Sequence, residues 1–256
     1  MGGSKPSKRI FLASDLHLGA PDMESSLVRE KHFVKWLDTI IDVASDLYLV
    51  GDIFDFWFEY KQVVPKGFIR FQGKLAELAD RGIQLHIFTG NHDLWYTNYF
   101  AEQLGAIIYK KPIFVNLHGK RFYLGHGDGL GPGDYGYKFI KRIFTNPVCK
   151  WLFHRLHPNF GIGLASYLSK TSRKQTGHKD AIFHGDKEIL YIHSREILSE
   201  QTDIQFFVYG HRHIMKDTEL EKGVRCIYLG DWIQHFSYLE VTENTVTLKT
   251  FPLNKR

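Results

Sequence analysis

Five short clusters of polar residues each follow an apolar run, and their side chains are of types that bind metal ions. The positions are Asp15, His17, Asp52, Asn91, His92, His126, His211 and His213. Carboxylate oxygens, imidazole nitrogens and an amide oxygen, without a thiolate, suit a divalent ion such as Mn, Fe, Co or Zn. Seven of these residues, all except His92, are candidates for direct metal ligands. Seven ligands are too many for a single ion that also leaves room for a substrate. The sequence therefore predicts two ions, with one carboxylate bridging them.

Two ions of this kind favour a reaction at phosphorus. Held about 3.5–4 Å apart, they keep a hydroxide between them and clamp the oxygens of a phosphoryl group during in-line displacement. Attack on an anionic phosphorus centre must overcome charge repulsion, which fixed dications compensate. A single Asp-x-His after a strand is more often a turn or a helix cap, and nine histidines lie outside the clusters. The prediction therefore depends on all five clusters occurring in order.

The elements that must position these side chains form an alternating pattern. Predicted strands precede the clusters at residues 10–13, 47–50, 85–88, 122–124 and 206–209, and helical spacing of apolar residues spans 28–44 and 68–78. Further strands are predicted over 224–229 and 237–250. Strands alternating with helices indicate an α/β fold, in which ligands collect outside the carboxyl ends of strands. We therefore expect the five strand ends to converge on one site.

Residues 136–180, which we call the cap, interrupt this alternation between the fourth and fifth strands. They carry nine Lys and Arg against one Asp, a charge of +8, which leaves −3 for the rest of a chain whose total is +5. The same segment is rich in aromatic and aliphatic residues at helical spacing. Basic and aromatic residues interleaved in this way are typical of a helix on an anionic membrane surface. The alternative is a helical hairpin that packs its apolar side on the sheet edges.

Composition and length limit the class of protein. A chain of 256 residues that is 43% hydrophobic is expected to fold as one globular domain, here over 8–256 with the cap inserted. Cys149 and Cys226 lack the spacing of a thiolate metal site and predict a reducing compartment. The first residues lack the apolar segment of a secretion signal, and no apolar run reaches about 18 residues. We therefore expect a cytoplasmic protein.

Taken together, the clusters resemble the signature blocks of the calcineurin-like metallophosphoesterases, and the resemblance covers residues 10 to about 213. It is carried by Asp15-Leu-His17, Gly51-Asp52-Ile-Phe-Asp55, Gly90-Asn91-His92-Asp93, Gly125-His126-Gly-Asp128 and Gly210-His211-Arg-His213. The resemblance implies a four-layer αββα sandwich with an inserted helical cap. It also implies one ion on Asp15, His17 and His213, another on Asn91, His126 and His211, and Asp52 as the bridge. Asp55, Asp93 and Asp128 are expected to orient ligands, because a metal-bound imidazole usually donates its other N–H to an acceptor.

A narrower resemblance comes from the cap and its flanks. Gly125-His-Gly-Asp-Gly-Leu, Asp134-Tyr-Gly-Tyr137 and Ser172-Arg-Lys-Gln-Thr176-Gly-His-Lys179 are similar to the UDP-2,3-diacylglucosamine hydrolase family of lipid A biosynthesis. The resemblance implies cleavage of the substrate's pyrophosphate bond to UMP and 2,3-diacylglucosamine 1-phosphate, by attack of a metal-bound hydroxide on the α-phosphate. It implies two Mn²⁺ ions and peripheral association of the cap with the cytoplasmic face of the inner membrane. The implied substrate contacts are Asn91, His92, Asp134, Tyr137, Ser172, Thr176, Lys179 and His211.

One position departs from this family. Its enzymes carry Arg after the metal-binding Asn, whereas this chain has His92, as in the wider superfamily, where the histidine stabilises the transition state or protonates the leaving group. We expect Asp52, Asn91 and His92 to be the catalytic residues. Two alternatives remain open: a superfamily relative acting on nucleic acid or on a soluble phosphoester, and a non-catalytic scaffold. Scaffolds typically lose ligands, and none of the seven is missing here; neither nucleic acid nor a protein partner is expected.

Overall fold

The first of two β-sheets carries the strands that precede three of the polar clusters. A computed structural model describes residues 8–176 and 182–253, without the side chains of residue 170 and residues 172–176. Parallel strands run in the order β1 (Arg9–Ala13), β2 (Ala44–Val50), β3 (Gln84–Phe88) and β4 (Ile107–Tyr109). Two antiparallel strands continue the sheet beyond β1, namely β10 (Ser237–Val241) and β11 (Val246–Thr250).

The second sheet carries the strands that precede the other two polar clusters. Its order is β5 (Ile113–Leu117), β6 (Lys120–Gly125), β7 (Phe206–Tyr209), β9 (Val224–Leu229) and β8 (Met215–Glu221). The three central strands are parallel, and the two edge strands are antiparallel to their neighbours. The carboxyl ends of β6 and β7 therefore lie at the same edge of this sheet.

The described residues contain seven α-helices, four of them packed beside the sheets and three in the cap. They are α1 (Met23–Ile40), α2 (Ile69–Asp80), α3 (Tyr99–Leu104), α4 (Tyr135–Thr145), α5 (Pro147–His154), α6 (Pro158–Thr176) and α7 (Ile189–Glu200), with a 3₁₀ turn at Gly185–Lys187. Helix α1 begins earlier than its apolar spacing predicts, because Asp22 caps it by accepting the Ser25 N–H at 2.8 Å. It ends at Ile40, since the chain enters β2 at Ala44.

Alternation along the strands produces the layers. In β1, Ile10 and Leu12 belong to the core between the two sheets, whereas Phe11 and Ala13 belong to the core shared with α1 and α2. Successive side chains of a strand point to opposite faces, so each buried strand contributes to two cores. Helix α7 closes the outer face of the second sheet with Leu190 and Tyr191. These four layers confirm the predicted αββα sandwich.

Three helices between β6 and β7 form the described part of the cap. Helices α4, α5 and α6 lie where the sequence predicts the insertion, and α7 follows them in the same connection. The ring of Phe153 packs against Phe58 and Trp95 on the body, with centroids 4.7 and 4.8 Å away. Among the helices of the described ranges, none has the length and apolar composition needed to span a membrane.

Candidate active site

The candidate ligands lie together at the carboxyl ends of strands from both sheets. Among the described residues, three groups of side chains have ligand atoms within 4.8 Å of one another. Asp15, His17 and His213 form the first, Asp52, His126 and His211 form the second, and His17, Asp55 and His92 form a third that shares His17 with the first. Asn91 joins the second group, because its Oδ1 is 2.8 Å from His211 Nδ1 and 3.3 Å from His126 Nε2. The structure thus brings all seven predicted ligands into two adjacent clusters.

Asp52 lies between the two clusters. Its Oδ2 is 3.6 Å from His17 Nε2 and 3.4 Å from His126 Nε2, and these nitrogens belong to different clusters. Ligands bonded at about 2.1 Å to one ion lie about 3.0–3.4 Å apart at octahedral or tetrahedral angles. The distances from Asp52 Oδ2 to one nitrogen of each cluster are close to the distance between two ligands of the same ion. A carboxylate that bridges two ions requires this arrangement.

Asp15 shows that the first cluster fits a cation. Its Oδ2 accepts hydrogen bonds from Ser14 Oγ at 2.5 Å and from the His211 N–H at 2.9 Å. Its Oδ1 is buried without a hydrogen-bond partner among the described residues, 3.6 Å from His17 Nε2 and 3.5 Å from His213 Nε2. A buried carboxylate oxygen without a partner is costly unless a cation neutralises it. This oxygen and the nitrogen and oxygen donors around it fit a divalent ion.

Two of the imidazoles are oriented through the ring nitrogen that faces away from the clusters. His126 Nδ1 donates to the Val50 carbonyl at 2.8 Å, and His213 Nδ1 donates to Asp231 Oδ2 at 3.1 Å. Burial alone would raise the pKa of Asp231, but hydrogen bonds from His213 and from nearby backbone N–H groups lower it to about 2. These contacts leave Nε2 of both rings for a metal ion, as in metal-bound histidines generally.

Asp93 fixes the loop that carries Asp52. Its carboxylate accepts the backbone N–H groups of residues 52, 53, 54 and 90 and the hydroxyl of Tyr96. A Cβ atom at Gly90 would overlap the Asp52 carboxylate, so glycine is required where the two loops cross. Asp93 was expected to orient a ligand. Its observed contacts are to the backbone of the two loops that cross here, residues 52–54 and Gly90.

The ligand loops have an unusual backbone. Five candidate ligands have left-handed φ angles between 44° and 65°, namely Asp15, His17, Asp52, His211 and His213. Residues with a Cβ atom rarely adopt this conformation, which costs on the order of 1–3 kcal/mol each and persists where surrounding structure enforces it. The sharp turns after β1, β2 and β7 therefore direct the polar side chains of these loops toward the same site.

The electrostatics favour ionised carboxylates. Burial alone would raise the pKa of Asp52, but the imidazoles of His126 and His92 hold it well below its usual range. Burial likewise disfavours a charged His126, yet Asp52 raises the pKa of that imidazole to about 10. Burial lowers the pKa of His92 to about 4, against the opposing effect of Asp52. Asp52 is therefore ionised and available as a metal ligand.

Asp55 and Asp128 occupy different surroundings. Asp55 Oδ1 lies 3.9 Å from His17 Nδ1 and 3.6 Å from His92 Nδ1. The Asp128 carboxylate accepts the Tyr137 hydroxyl and the Lys141 ammonium, each at 2.5 Å, while the ring N–H of His126 bonds to a backbone carbonyl. Asp128 thus ties the loop of His126 to α4 of the cap.

The predicted substrate contacts fall into three sets. Asn91 and His211 lie in the second cluster, whereas the His92 ring lies beside His17 of the first cluster, with its backbone N–H on Asp52 Oδ1. Asp134 caps α4 by accepting the Tyr137 N–H at 3.4 Å, and Tyr137 itself bonds Asp128. Ser172 and Thr176 belong to α6 with side chains outside the described residues, and Lys179 lies outside them entirely.

Three contacting residues were not among the predicted site residues. Asp231 follows β9 in a Gly-Asp corner like the one that carries Asp52, so this signal was present. Ser14 directly precedes Asp15 and bonds its carboxylate. Ser169 of α6 lies 2.8 Å from His92 Nδ1, and nothing in the local sequence marks it, because the partner is 77 residues away.

The chain is similar to known proteins over nearly its whole length. The chain is 36% identical over 254 residues to a UDP-2,3-diacylglucosamine hydrolase of Porphyromonas gingivalis, covering 94% of this chain and 97% of that protein. A protein of the same name from Pseudomonas fluorescens is 31% identical, covering 94% and 95%.

Among solved structures, the chain matches a phosphoesterase from E. coli with a TM-score of 0.45 and 15% identity over 94% of this chain and 92% of that one. Another is vacuolar protein sorting 29 from Cryptosporidium parvum, with a TM-score of 0.45 and 12% identity over 97% and 99%. No protein-family model matches the chain. The two hydrolases match nearly from end to end, and on that likeness the chain belongs to the UDP-2,3-diacylglucosamine hydrolase family.

Proposed function

We propose that the protein hydrolyses the pyrophosphate bond of UDP-2,3-diacylglucosamine, releasing UMP and 2,3-diacylglucosamine 1-phosphate in lipid A biosynthesis. The observation that carries this proposal is the 36% identity to a hydrolase of that name over 94% of the chain, combined with a complete ligand set in two clusters. The nucleic-acid, soluble-phosphoester and scaffold alternatives have no comparable support.

The two clusters are the proposed sites of two divalent ions, most simply Mn²⁺. Asp15, His17 and His213 would hold one, and Asn91, His126 and His211 the other, with Asp52 between them. When bound, such ions activate water at neutral pH and offset the charge of a diphosphate. The donor set of oxygen and nitrogen atoms without thiolate supports a metal of this class.

The chain's own residues would bind and orient the diphosphate. His92 has its backbone N–H on Asp52 Oδ1 at 2.8 Å, which places the residue at the edge of the cluster. We propose that its ring either stabilises the charge that develops on the phosphate in the transition state or protonates the leaving group. Asn91 and His211 would contact the same phosphate, while Asp134, Tyr137, Ser172, Thr176 and Lys179 are the proposed contacts from the cap.

The cap is also the proposed contact with the cytoplasmic face of the inner membrane. Large apolar side chains on its described surface are strongly exposed, including Phe139 at 66%, Trp151 at 56% and Tyr167 at 68%. Extended exposed apolar surface marks an interaction site, and each nearby Lys or Arg adds about 1 kcal/mol at an anionic surface. The guanidinium of Arg155 lies over the Trp151 ring at 4.8 Å, so charge and apolar surface coincide. A diacylated substrate would be taken from the bilayer at this surface.

The reaction is tested with purified protein, Mn²⁺ and UDP-2,3-diacylglucosamine in detergent micelles made up in H₂¹⁸O. We expect UMP carrying one ¹⁸O on its phosphate and an unlabelled acylated sugar 1-phosphate, both detected by mass spectrometry. Label in the sugar phosphate would contradict attack at the α-phosphate. No cleavage of the lipid, alongside rapid cleavage of a nucleotide or DNA substrate, would replace the proposal by its nucleic-acid alternative.

A further inference from the structure

Ser169 brings the cap into hydrogen-bonding contact with the candidate catalytic histidine. Its hydroxyl oxygen lies 2.8 Å from His92 Nδ1. The same oxygen lies 3.1 Å from Asp55 Oδ1 and 3.2 Å from the Asp55 carbonyl oxygen. The His92 side chain is 11% exposed, so this contact is largely shielded from water. One cap hydroxyl therefore connects two residues of the body.

The direction of these hydrogen bonds follows from the available hydrogens. Both Asp55 atoms only accept, so the single hydroxyl hydrogen of Ser169 is directed to Asp55. The Ser169 oxygen then accepts the Nδ1–H of His92. Asp55 Oδ1 is 3.6 Å from His92 Nδ1, beyond a direct hydrogen bond, and the hydroxyl bridges that gap.

The contact determines which nitrogen of His92 is available. With Nδ1–H bonded to Ser169, the ring cannot rotate freely about its bond to Cβ, and Nε2 is the nitrogen left for other partners. The His92 backbone is fixed independently, since its N–H bonds Asp52 Oδ1. Backbone and ring are thus held by different parts of the molecule, the ring by the cap.

We infer that Ser169 is a positioning residue, which orients the His92 ring from the cap by accepting its Nδ1–H while donating its own hydroxyl hydrogen to Asp55. The inference rests on the proposed function insofar as His92 acts on the diphosphate. It adds that the cap takes part in the chemistry through one hydroxyl, in addition to any contact with lipid. Removal of the hydroxyl leaves the ring free to turn and leaves a buried N–H without its acceptor.

The first test observes the hydrogen bond itself and needs no activity. In the full chain loaded with diamagnetic Zn²⁺, proton and ¹⁵N NMR should show a slowly exchanging ring N–H of His92, assigned by its loss in His92→Ala. We expect the signal to be lost in Ser169→Ala and kept in Ser169→Thr. Thr171→Ala is the matched control, because the Thr171 hydroxyl bonds only the Tyr167 carbonyl of its own helix among the described contacts. A signal that persists in Ser169→Ala would overturn the inference.

The second test is kinetic. Ser169→Ala should lower kcat by about tenfold, the lower end for groups that orient active-site residues, with KM and the Mn²⁺ titration unchanged. Ser169→Thr should restore most of the rate, and Ser169→Ala should cost nothing further in a His92→Ala background. An equal loss in that background would overturn the inference. Failure to cleave the lipid with the NMR result intact would instead refute the proposed function alone.

Discussion

Asp93 gives the sharpest test of how the candidate site is built, because one buried carboxylate holds the loops of Asp52 and Gly90 together. We predict that Asp93→Asn destabilises the fold and weakens metal binding at the same time. Oδ1 accepts the N–H groups of Gly90 at 2.8 Å and Asp52 at 3.2 Å. Oδ2 accepts those of Ile53 at 2.8 Å and Phe54 at 3.2 Å, and the Tyr96 hydroxyl at 2.7 Å.

The expected loss of stability follows from the number of hydrogen bonds that each carboxylate oxygen of Asp93 accepts. An amide replaces one acceptor oxygen by an NH₂ donor, so either orientation leaves two buried backbone N–H groups without an acceptor. Each costs about 1–3 kcal/mol. The neutral amide also removes a repulsion from Asp52, which together with burial raises the pKa of Asp93 to about 6. This relief offsets part of the loss, and we expect a net decrease of about 2–4 kcal/mol in the free energy of unfolding.

Urea denaturation of the metal-free protein measures the decrease, and titration with Mn²⁺ measures the metal affinity, which should fall at least about tenfold as the Asp52 loop loosens. Tyr96→Phe is the graded control, since it removes a single hydrogen bond from the same carboxylate and should cost about 1 kcal/mol. If Asp93→Asn is no less stable than Tyr96→Phe, or binds metal as the wild type does, the loop is not held by this carboxylate.

Three further predictions concern the bridging carboxylate Asp52, the hydrogen-bond acceptor of His213 and the exposed aromatic side chains of the cap. Asp52→Ala should remove hydrolysis and leave at most one metal ion per chain by elemental analysis; retention of a tenth of the wild-type rate would refute bridging. Asp231→Ala should weaken the ion bound by His213 by about 10–100-fold in a Mn²⁺ titration while the second site stays tight, because the ring loses the acceptor of its Nδ1–H. Phe139→Ser combined with Trp151→Ser should abolish cosedimentation with anionic liposomes without changing the unfolding midpoint, since both side chains are already exposed. Undiminished sedimentation would favour a purely structural cap.

The parallel strands and their polar ends were predictable, because two local signals coincide there. The buried part of β2, residues 47–50, is an uninterrupted apolar run, and the turn after it begins with Gly51 and Asp52. Strands β5 and β8 lie at sheet edges, with partly exposed side chains on alternate positions, and they carry no such signal. The predicted element boundaries were also less accurate. The residue that caps the N-terminus of α1, Asp22, lies outside the apolar spacing that predicts this helix.

Residues that support the ligands were harder to predict, because their partners are distant in sequence. Three of the five hydrogen bonds that Asp93 accepts reach across about 40 residues to the β2 loop, and no spacing rule connects the two segments. The cap aromatics likewise divide into two sets that composition alone does not separate. Phe153 packs on the body beside Phe58 and Trp95, whereas Trp151, two residues earlier, is exposed. Only the tertiary structure therefore identifies which aromatic side chains are available to a membrane.

The cap touches the site at two separate points, which constrains how its role is tested. Tyr137 and Lys141 of α4 bond Asp128, two residues beyond His126, and Ser169 of α6 bonds His92. Each contact joins a cap helix to a loop that carries a candidate ligand or catalytic residue. Deletion of the cap would therefore remove a partly buried ion pair and a histidine's hydrogen-bond acceptor together with the proposed lipid-facing surface. Point substitutions on the exposed face separate lipid capture from chemistry, since they leave both contacts in place.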